Sequence, residues 1–252
     1  MAPANAASVR AMLAAGYRPI GAEVCSPVSG SGPRALAEMH VATLYDLHGN
    51  LRALEAVLEE IPDEATIVVG GDVCAGGTHP SETLERLRAL GERVLWLRGN
   101  ADRELAPGEK GLVPAKVIEA TRAALRAEQI AFLYGLPPTV QIADTHFCHA
   151  TPRNDVDIFT ERTPDERIAH LFAHVDADII IVCGHTHTQF ERTIAGKRVI
   201  NSGSVGMPYE DAPGAYWTLD LVHRHTEYNG AEPHKAGREQ AISHFESLAV
   251  GA

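Results

Sequence analysis

The chain has 252 residues and a formal net charge of −11, and 45% of its residues are hydrophobic. This length suits one globular domain with extensions, and it is sufficient to bury a large core. The net negative charge argues against nucleic-acid binding through a basic surface, so no duplex nucleic acid is expected as a partner. It does not exclude a small phosphorylated ligand, because bound divalent cations can reverse the local field.

The spacing of the cysteines and the pattern of hydrophobic residues bear on the cellular compartment of the protein. The chain has four cysteines without C-x-x-C spacing, and its N-terminus lacks the basic-then-apolar order of a secretory signal. No apolar run is long enough to span a membrane, so no membrane partner is expected. Without a disulfide framework, the sequence favours a reducing cytoplasm. The oligomeric state is left open.

Residues 1–38 differ in composition from the rest of the chain. They are rich in Ala, Gly, Ser and Pro, and residues 26–33 are linker-like. A short helix over residues 8–15 fits the pattern. We interpret residues 1–38 as a flexible N-terminal segment and residues 39–252 as the folded domain.

From residue 40 the pattern is β-α-β-α-β. Apolar runs at 41–45, 66–69 and 94–97 predict strands. Apolar residues at helical spacing within 51–61 and 84–90 predict the helices between them. This alternation predicts right-handed crossovers and a largely parallel sheet.

The second half predicts further strands and three helices. Helices are predicted over 113–135, over 163–175 (opened by a capping box) and over 235–250. Strands are predicted over 139–142, 145–148, 178–183, 189–194, 198–200 and 215–221. The predicted fold class is α/β, as an α-β-β-α sandwich of two mixed sheets flanked by helices.

Side chains that ligate metals follow directly after five of the predicted strands. They are Asp46 and His48, Asp72, Asn100, His149, and the pair His185 and His187. Because ligands bind at the carboxyl ends of strands in open α/β sheets, we expect these side chains to converge. Each fragment alone has an ordinary explanation as a cap, a turn or a core histidine. Carboxylate, imidazole and amide oxygen without thiolate suit Mn²⁺, Fe or Zn.

The order of these fragments resembles the calcineurin-like metallophosphoesterase superfamily, over roughly residues 40–221. The form of the motifs is similar to the small prokaryotic phosphodiesterase branch. The motifs are Asp46-Leu-His-Gly-Asn50, Gly71-Asp72, Gly99-Asn-Ala-Asp102, Gly184-His-Thr-His187 and Asn201-Ser-Gly-Ser-Val-Gly206.

The resemblance implies a site for two divalent metal ions. The implied ligands are Asp46, His48 and His187 for one ion, Asn100, His149 and His185 for the other, and Asp72 as the bridge. Manganese is favoured, with iron, zinc, nickel or magnesium as alternatives. The implied reaction is direct attack of a metal-bridging hydroxide on phosphorus, without a phospho-enzyme. Asp72, Asn100 and His149 are the implied catalytic residues.

Ala101 departs from many relatives, which carry a histidine there that is thought to protonate the leaving oxygen. Alkyl monoesters should therefore be poor substrates. Activated diesters and phosphoanhydrides, including diadenosine polyphosphates, depend less on protonation of the leaving oxygen. Arg153 and Asn100 are the predicted substrate contacts, since Arg suits bidentate phosphate binding. The alternative for Arg153 is a surface ion pair with Asp155 or Asp157.

Three further positions have open roles. Asp102 could orient Asn100 or pair with Arg103, and a structural role is favoured. The ring of Tyr45 either packs inward or lines the pocket. Residues 201–206 are interpreted as a backbone turn beside the metals.

The leading hypothesis is a metal-dependent phosphoesterase that hydrolyses phosphodiesters or nucleotide phosphoanhydrides, with a small phosphorylated substrate as its partner. A protein Ser/Thr phosphatase is one alternative, and Ala101 counts against it. A metal-binding protein-interaction scaffold of the same fold is another, and the complete set of ligand-type residues counts against it.

Overall fold

The computed structural model describes residues 17–20, 24–27, 40–232 and 237–249. Within the segment predicted to be flexible, strands β1 (Tyr17–Ile20) and β2 (Val24–Pro27) form an antiparallel hairpin. The sequence analysis predicted no strand there, and the helix it considered over residues 8–15 lies outside the described residues. The division at residue 38 stays a prediction.

The first large sheet contains the predicted β-α-β-α-β unit. Its parallel strands are β3 (Val41–Leu44), β4 (Thr66–Val69) and β5 (Val94–Trp96). Helix α1 (Leu51–Glu60) connects the first pair, and α2 (Pro80–Arg88) connects the second. The Asn50 side chain caps α1 by accepting a hydrogen bond from the Ala53 amide at 3.1 Å, as its position before the helix predicts.

Two late strands extend this sheet on its other side. They are β11 (Ala215–Leu219), which is antiparallel to β3, and β12 (Val222–Thr226), which is antiparallel to β11. The predicted strand over 215–221 therefore ends early, because Asp220 and Leu221 form a turn with positive φ. β12 was not predicted, since its alternation of histidine and arginine has a mostly exposed face.

The second sheet has the order β6-β7-β8-β10-β9 and is mixed. Its strands are β6 (Thr139–Ile142), β7 (Thr145–Cys148), β8 (Ile180–Cys183), β9 (Gln189–Ile194) and β10 (Lys197–Ser202). β7, β8 and β10 run parallel, whereas β6 and β9 are antiparallel to their neighbours. The expectation of two mixed sheets is confirmed.

Several helices differ from their predicted bounds. After β5 the chain forms α3 (Asn100–Glu104), α4 (Ala115–Ala124) and α5 (Ala127–Tyr134). The single helix predicted over 113–135 is wrong: the chain is extended at Leu125, with φ −108° and ψ 147°, and this side chain is buried in the core.

The helix predicted over 163–175 is also shorter than expected. It is α6 (Asp165–Ile168), followed by a 3₁₀ turn over Ala169–Leu171. The predicted capping box does not form, because the Thr163 hydroxyl accepts a hydrogen bond from the Thr160 amide at 2.8 Å. The last helix, α7 (Gly237–Leu248), lies within the predicted range.

Three apolar clusters account for the layers. One lies between the first sheet and its helices and contains Leu54, Leu84 and Trp217. The second lies between the two sheets, and the third, around Phe172 and Phe190, covers the other face of the second sheet. Because successive strand residues point to opposite faces, each sheet contributes to two clusters. None of the described helices has the length and apolarity to cross a membrane.

Candidate metal centre

The loops after five strands bring the predicted ligands to one place between the two sheets. Asp46 and His48 follow β3, Asp72 follows β4, and Asn100 follows β5. His149 follows β7, and His185 and His187 follow β8. All are buried except His185, which is partly buried. The predicted convergence of strand ends is therefore present.

The backbone is unusual at these residues. Nine non-glycine residues in the described part of the chain have positive φ, and five of them are predicted ligands. These five are Asp46, His48, Asp72, His185 and His187. Such conformations cost of order 1 kcal/mol or more each and persist where the surroundings enforce them, commonly at functional sites.

The first ligand group consists of Asp46, His48 and His187. Nδ1 of His48 donates to the Ala75 carbonyl at 2.5 Å, and Nδ1 of His187 donates to the Met207 carbonyl at 2.7 Å. Since a carbonyl oxygen can only accept, these bonds place the ring proton on Nδ1 and leave a lone pair on Nε2. The two Nε2 atoms face each other at 3.1 Å. Two facing lone pairs are the arrangement that a cation would bridge.

The second group consists of Asp46, Asp72 and His149, with Asn100 beside it. His149 donates from Nδ1 to the Gly70 carbonyl at 2.8 Å, so its Nε2 also faces the centre. That Nε2 lies 3.6 Å from Asp72 Oδ2 and 3.1 Å from Asn100 Oδ1. A carboxylate, an imidazole and an amide oxygen therefore meet at one point, and all three are good donors for Mn²⁺, Fe²⁺ or Zn²⁺.

His185 lies at the edge of the second group. Its ring packs against that of His149 at a centroid distance of 5.1 Å. Its Nε2 is buried and has no hydrogen-bond partner among the described residues. A buried imidazole nitrogen without a partner is costly, and an ion would provide one. The placement fits the predicted role of His185.

Asp46 is the carboxylate shared by both groups. Its Oδ1 lies 3.4 Å from His187 Nε2 and 3.9 Å from His149 Nε2, and it is buried without a hydrogen-bond partner in the described structure. Its Oδ2 accepts a hydrogen bond from the His185 amide at 2.8 Å. The sequence analysis assigned the shared position to Asp72. Asp72 reaches only the second group here, so its bridging role stays a prediction.

The electrostatics of the site are those of a cluster that favours a cation. Burial raises the pKa of Asp72 to about 7 and lowers the pKa of His48 to about 4. Burial likewise lowers the pKa of His185 to about 3. Burial opposes ionisation of Asp46, but the surrounding imidazoles, with His187 foremost, hold its pKa below the usual range. Neutral imidazoles and an ionised carboxylate are the forms that bind metal.

Asp102 positions the backbone around Asp72. Its carboxylate accepts hydrogen bonds from the amides of Asp72, Val73 and Gly99 at 2.8–3.0 Å. The structural role favoured for it is correct, although it neither orients Asn100 nor pairs with Arg103. Gly99 has to be glycine here, because a Cβ would lie 2.1 Å from Asp72 Oδ1.

The segment 201–206 supports two ligand loops, but only residues 203–206 form the expected turn, because Asn201 and Ser202 are the last residues of β10. The Asn201 amide donates to the Gly184 carbonyl at 2.8 Å and to the Thr186 hydroxyl at 3.0 Å. The Ser204 hydroxyl donates to the Asp46 carbonyl at 2.8 Å. The end of β10 and the turn after it therefore link the loop after β3 to the loop after β8.

The structure shows the contacts of two side chains whose roles the sequence left open. Tyr45 packs inward: it is fully buried between the sheets, and its hydroxyl donates to the Val182 carbonyl at 3.0 Å. Arg153 forms a two-bond ion pair with Asp157, at 2.9 and 3.1 Å, whereas Asp155 pairs with Arg103. The predicted contact of Arg153 with substrate stays a prediction.

Glu104 is a site residue that the sequence analysis missed. Its buried carboxylate accepts a hydrogen bond from the Asn100 amide nitrogen at 3.1 Å, so the amide oxygen faces His149. The signal was present in the spacing, because residues four apart lie on one helix face. It was overlooked because no helix was predicted at 100–104.

The comparisons with known proteins bear on the family of the chain. The sequence profile of the calcineurin-like phosphoesterase superfamily domain matches residues 39–224. The chain therefore belongs to the calcineurin-like phosphoesterase superfamily, as its motifs predicted.

Among individual proteins, the chain is similar to an uncharacterized protein of Methanocaldococcus jannaschii, with 29% identity over 194 residues, covering 67% of this chain and 76% of the relative. The fold is similar to a metallophosphoesterase from Sphaerobacter thermophilus, with a TM-score of 0.64 and 24% identity, covering 76% of this chain and 90% of the other. A hypothetical protein from Pyrococcus horikoshii OT3 gives a TM-score of 0.66 and 20% identity, covering 85% and 99%.

Proposed function

We propose that this protein is a metal-dependent phosphoesterase that hydrolyses phosphodiesters or nucleotide phosphoanhydrides. The main observation behind this proposal is that His48 Nε2 and His187 Nε2 face each other at 3.1 Å. Beside them lies Asp46 Oδ1, which has no hydrogen-bond partner among the described residues. Three lone-pair donors directed at one buried point repel each other unless a cation lies between them. Membership of the phosphoesterase superfamily assigns the chemistry to phosphorus.

Two divalent ions, when bound, would activate water and neutralise phosphate charge. The proposed ligands for them are Asp46, His48 and His187 on one side, Asn100, His149 and His185 on the other, and Asp72 between them. Manganese is the proposed native metal, because the donors are mainly carboxylate and imidazole without thiolate.

The protein residues have separate tasks in the proposed reaction. Asp72 accepts a hydrogen bond from the Ala101 amide at 2.8 Å, so one carboxylate oxygen is fixed and the other faces His149. Asn100 presents its amide oxygen to the same point because Glu104 holds its nitrogen. Arg153 is proposed to contact substrate phosphate, which would require it to leave its ion pair with Asp157.

A metal-content measurement combined with a chromogenic diester tests the proposal. Protein purified without chelator should carry about two ions per chain, and should hydrolyse bis(4-nitrophenyl) phosphate when Mn²⁺ is added. His48→Ala should lose both properties, whereas His244→Ala, at an exposed position of α7, should keep both. Metal-free wild-type protein, or loaded protein without hydrolysis of any phosphate ester, would overturn it.

The remaining parts of the proposal concern partners and location. The expected partner is a small phosphorylated molecule, with neither a nucleic-acid duplex nor a membrane. A cytoplasmic location is supported by Cys74, Cys148 and Cys183, which are buried free thiols without disulfide partners in the described structure.

A further inference from the structure

A cavity of about 360 Å³ lies between the loop after β4 and helix α4. Gly76, Gly77 and Thr78 form one wall, and Val117 and Ala120 belong to the helix on the opposite wall. The volume falls at the lower end of the range typical of small-molecule sites. None of the predicted metal ligands lines it, so the cavity is separate from the ligand cluster.

The cavity and the metal centre share one loop. Ala75 accepts the hydrogen bond that orients His48, and the next residue, Gly76, begins the cavity wall. A Cβ at Gly76 would lie 3.2 Å from Met207 Cε, 3.8 Å from His48 Nδ1 and 3.9 Å from Val117 Cγ1. Gly76 has φ +102°, which favours glycine, so residue 76 places no side chain of its own beside the His48 ring, and the Met207 methyl group is the nearest neighbour at that point.

The lining of the cavity is small and mostly uncharged, with one exception. Lys116 is exposed at the cavity, and among the described residues it has neither an ion pair nor a hydrogen bond. In a chain of net charge −11, an unpaired ammonium group at the cavity is a local point of attraction for anions. The small side chains leave room for an uncharged ring system beside it.

We propose that this cavity binds the nucleoside part of the substrate, and that Lys116 contacts a further phosphate of a nucleotide anhydride. The inference rests on the proposed function and narrows its substrate class from phosphodiesters or nucleotide phosphoanhydrides to nucleotides. A reacting phosphate at the ligand cluster and a nucleoside in the cavity would lie on either side of Gly76. The substrate would therefore extend from the metal centre past His48 toward α4.

Three substrates separate the parts of this proposal. Methyl 4-nitrophenyl phosphate reports on the metal centre alone. Thymidine 5′-(4-nitrophenyl phosphate) has the same leaving group and adds a nucleoside, and diadenosine tetraphosphate adds further phosphates. Wild-type protein with Mn²⁺ should prefer the thymidine ester over the methyl ester by about tenfold or more in kcat/KM, the size of effect that a filled pocket gives.

Two variants with matched controls test the cavity. Ala120→Trp should fill it and remove the preference for the thymidine ester, while leaving the methyl ester within about threefold of wild type. Ala123 is exposed on the same helix but lies outside the cavity lining. Ala123→Trp should therefore change neither the preference for the thymidine ester nor kcat/KM for the methyl ester. Lys116→Ala should lower kcat/KM for diadenosine tetraphosphate by about tenfold and leave both nitrophenyl esters unchanged. Glu119→Ala is its exposed control.

The outcomes distinguish this inference from the proposed function. If wild type hydrolyses the methyl and thymidine esters equally well, and Ala120→Trp leaves that ratio unchanged, the cavity is not a nucleoside site although the enzyme is a phosphoesterase. If no phosphate ester is hydrolysed by metal-loaded protein, the proposed function itself fails. Circular dichroism of each variant identifies any loss that arises from misfolding.

Discussion

Glu104 holds the Asn100 amide in one orientation and also ties down a loop. Its Oε1 accepts from Asn100 Nδ2 at 3.1 Å and from the Leu112 amide at 3.0 Å, and its Oε2 accepts from the Val113 amide at 2.9 Å. Gly111 lies so close that a Cβ there would be 1.9 Å from Oε1. One buried carboxylate therefore connects a predicted metal ligand to the chain segment before α4.

Removing that carboxylate should weaken one of the two metal positions. In Glu104→Ala, the Asn100 amide loses the acceptor that directs its oxygen toward His149. Loss of such an outer partner typically costs 10–100-fold in metal affinity, so we expect a weaker second ion by about that factor. Titration of chelator-treated protein with Mn²⁺ measures this. Glu104→Gln, which keeps an acceptor oxygen, should retain most of the affinity; equal loss in both variants would contradict an orienting role.

The sequence predicted the layers, and the place where the candidate ligands converge, better than the contacts that position those side chains. Asp46, Asp72 and His149 could be identified because each follows an apolar strand, and strand periodicity is local. The role of Glu104 depends on a five-residue helix that is too short to have its own periodicity. The break at Leu125 was missed for a related reason: it is set by packing of that side chain into the core, and not by local propensity.

Asp72→Asn is expected to abolish nearly all hydrolysis. The predicted bridging position needs a charged carboxylate, and an amide would also present a nitrogen to His149 or to the Ala101 amide. Both metal positions should weaken, and turnover of bis(4-nitrophenyl) phosphate should fall by at least about 10³-fold. Asp63→Asn, at an exposed position, is the matched control. Near wild-type turnover with full metal content in Asp72→Asn would contradict the bridging role assigned to Asp72.

Metal affinity should depend on pH near neutrality. In the metal-free protein the pKa of Asp72 is raised to about 7, so this carboxyl is largely protonated at pH 6 and largely ionised at pH 8. A proton has to leave before the carboxylate can bind an ion, so affinity should fall by about tenfold as the pH drops from 8 to 6.

His48 and His185, with pKa values of about 4 and 3, stay neutral over that range and add nothing to the trend. His149, whose pKa is raised by Asp72 and Asp46 against the effect of burial, changes affinity in the same direction as Asp72. Competition titration of Mn²⁺ against a chelator at each pH is the measurement. Equal dissociation constants at pH 6 and pH 8 would show that Asp72 is already ionised without metal.

A chain that begins at Met39 should keep both its melting temperature and its activity. The start of β3 is anchored by residues that this truncation retains: Asp220 accepts from the Val41 amide at 2.9 Å and pairs with His40 at 2.8 Å. Thermal unfolding and diester hydrolysis, each compared with the full chain, are the two measurements. A drop of several degrees would instead indicate that the β1–β2 hairpin stabilises the domain, beside β6.

Ala101 should make catalysis depend steeply on the acidity of the leaving group. Its side chain is a methyl group, fully buried at the start of α3, so it cannot donate a proton to a departing oxygen. General acid catalysis typically contributes about 10²–10⁴-fold, and its absence should be felt most with alkyl monoesters. Aryl diesters and phosphoanhydrides should therefore be hydrolysed far faster than alkyl monoesters.

A series of aryl and alkyl esters that differ in leaving-group pKa, assayed on the wild type, tests this dependence. The chemical step has to limit the rate, which single-turnover measurements establish. Ala101→His is a weaker probe, because the buried site offers an added imidazole little room, and Asp102 is already engaged by three backbone amides. A flat dependence on leaving-group pKa would mean that another residue donates the proton. His149 and Arg153 would then be the first residues to exchange, and the preference for diesters and anhydrides would lose its physical basis.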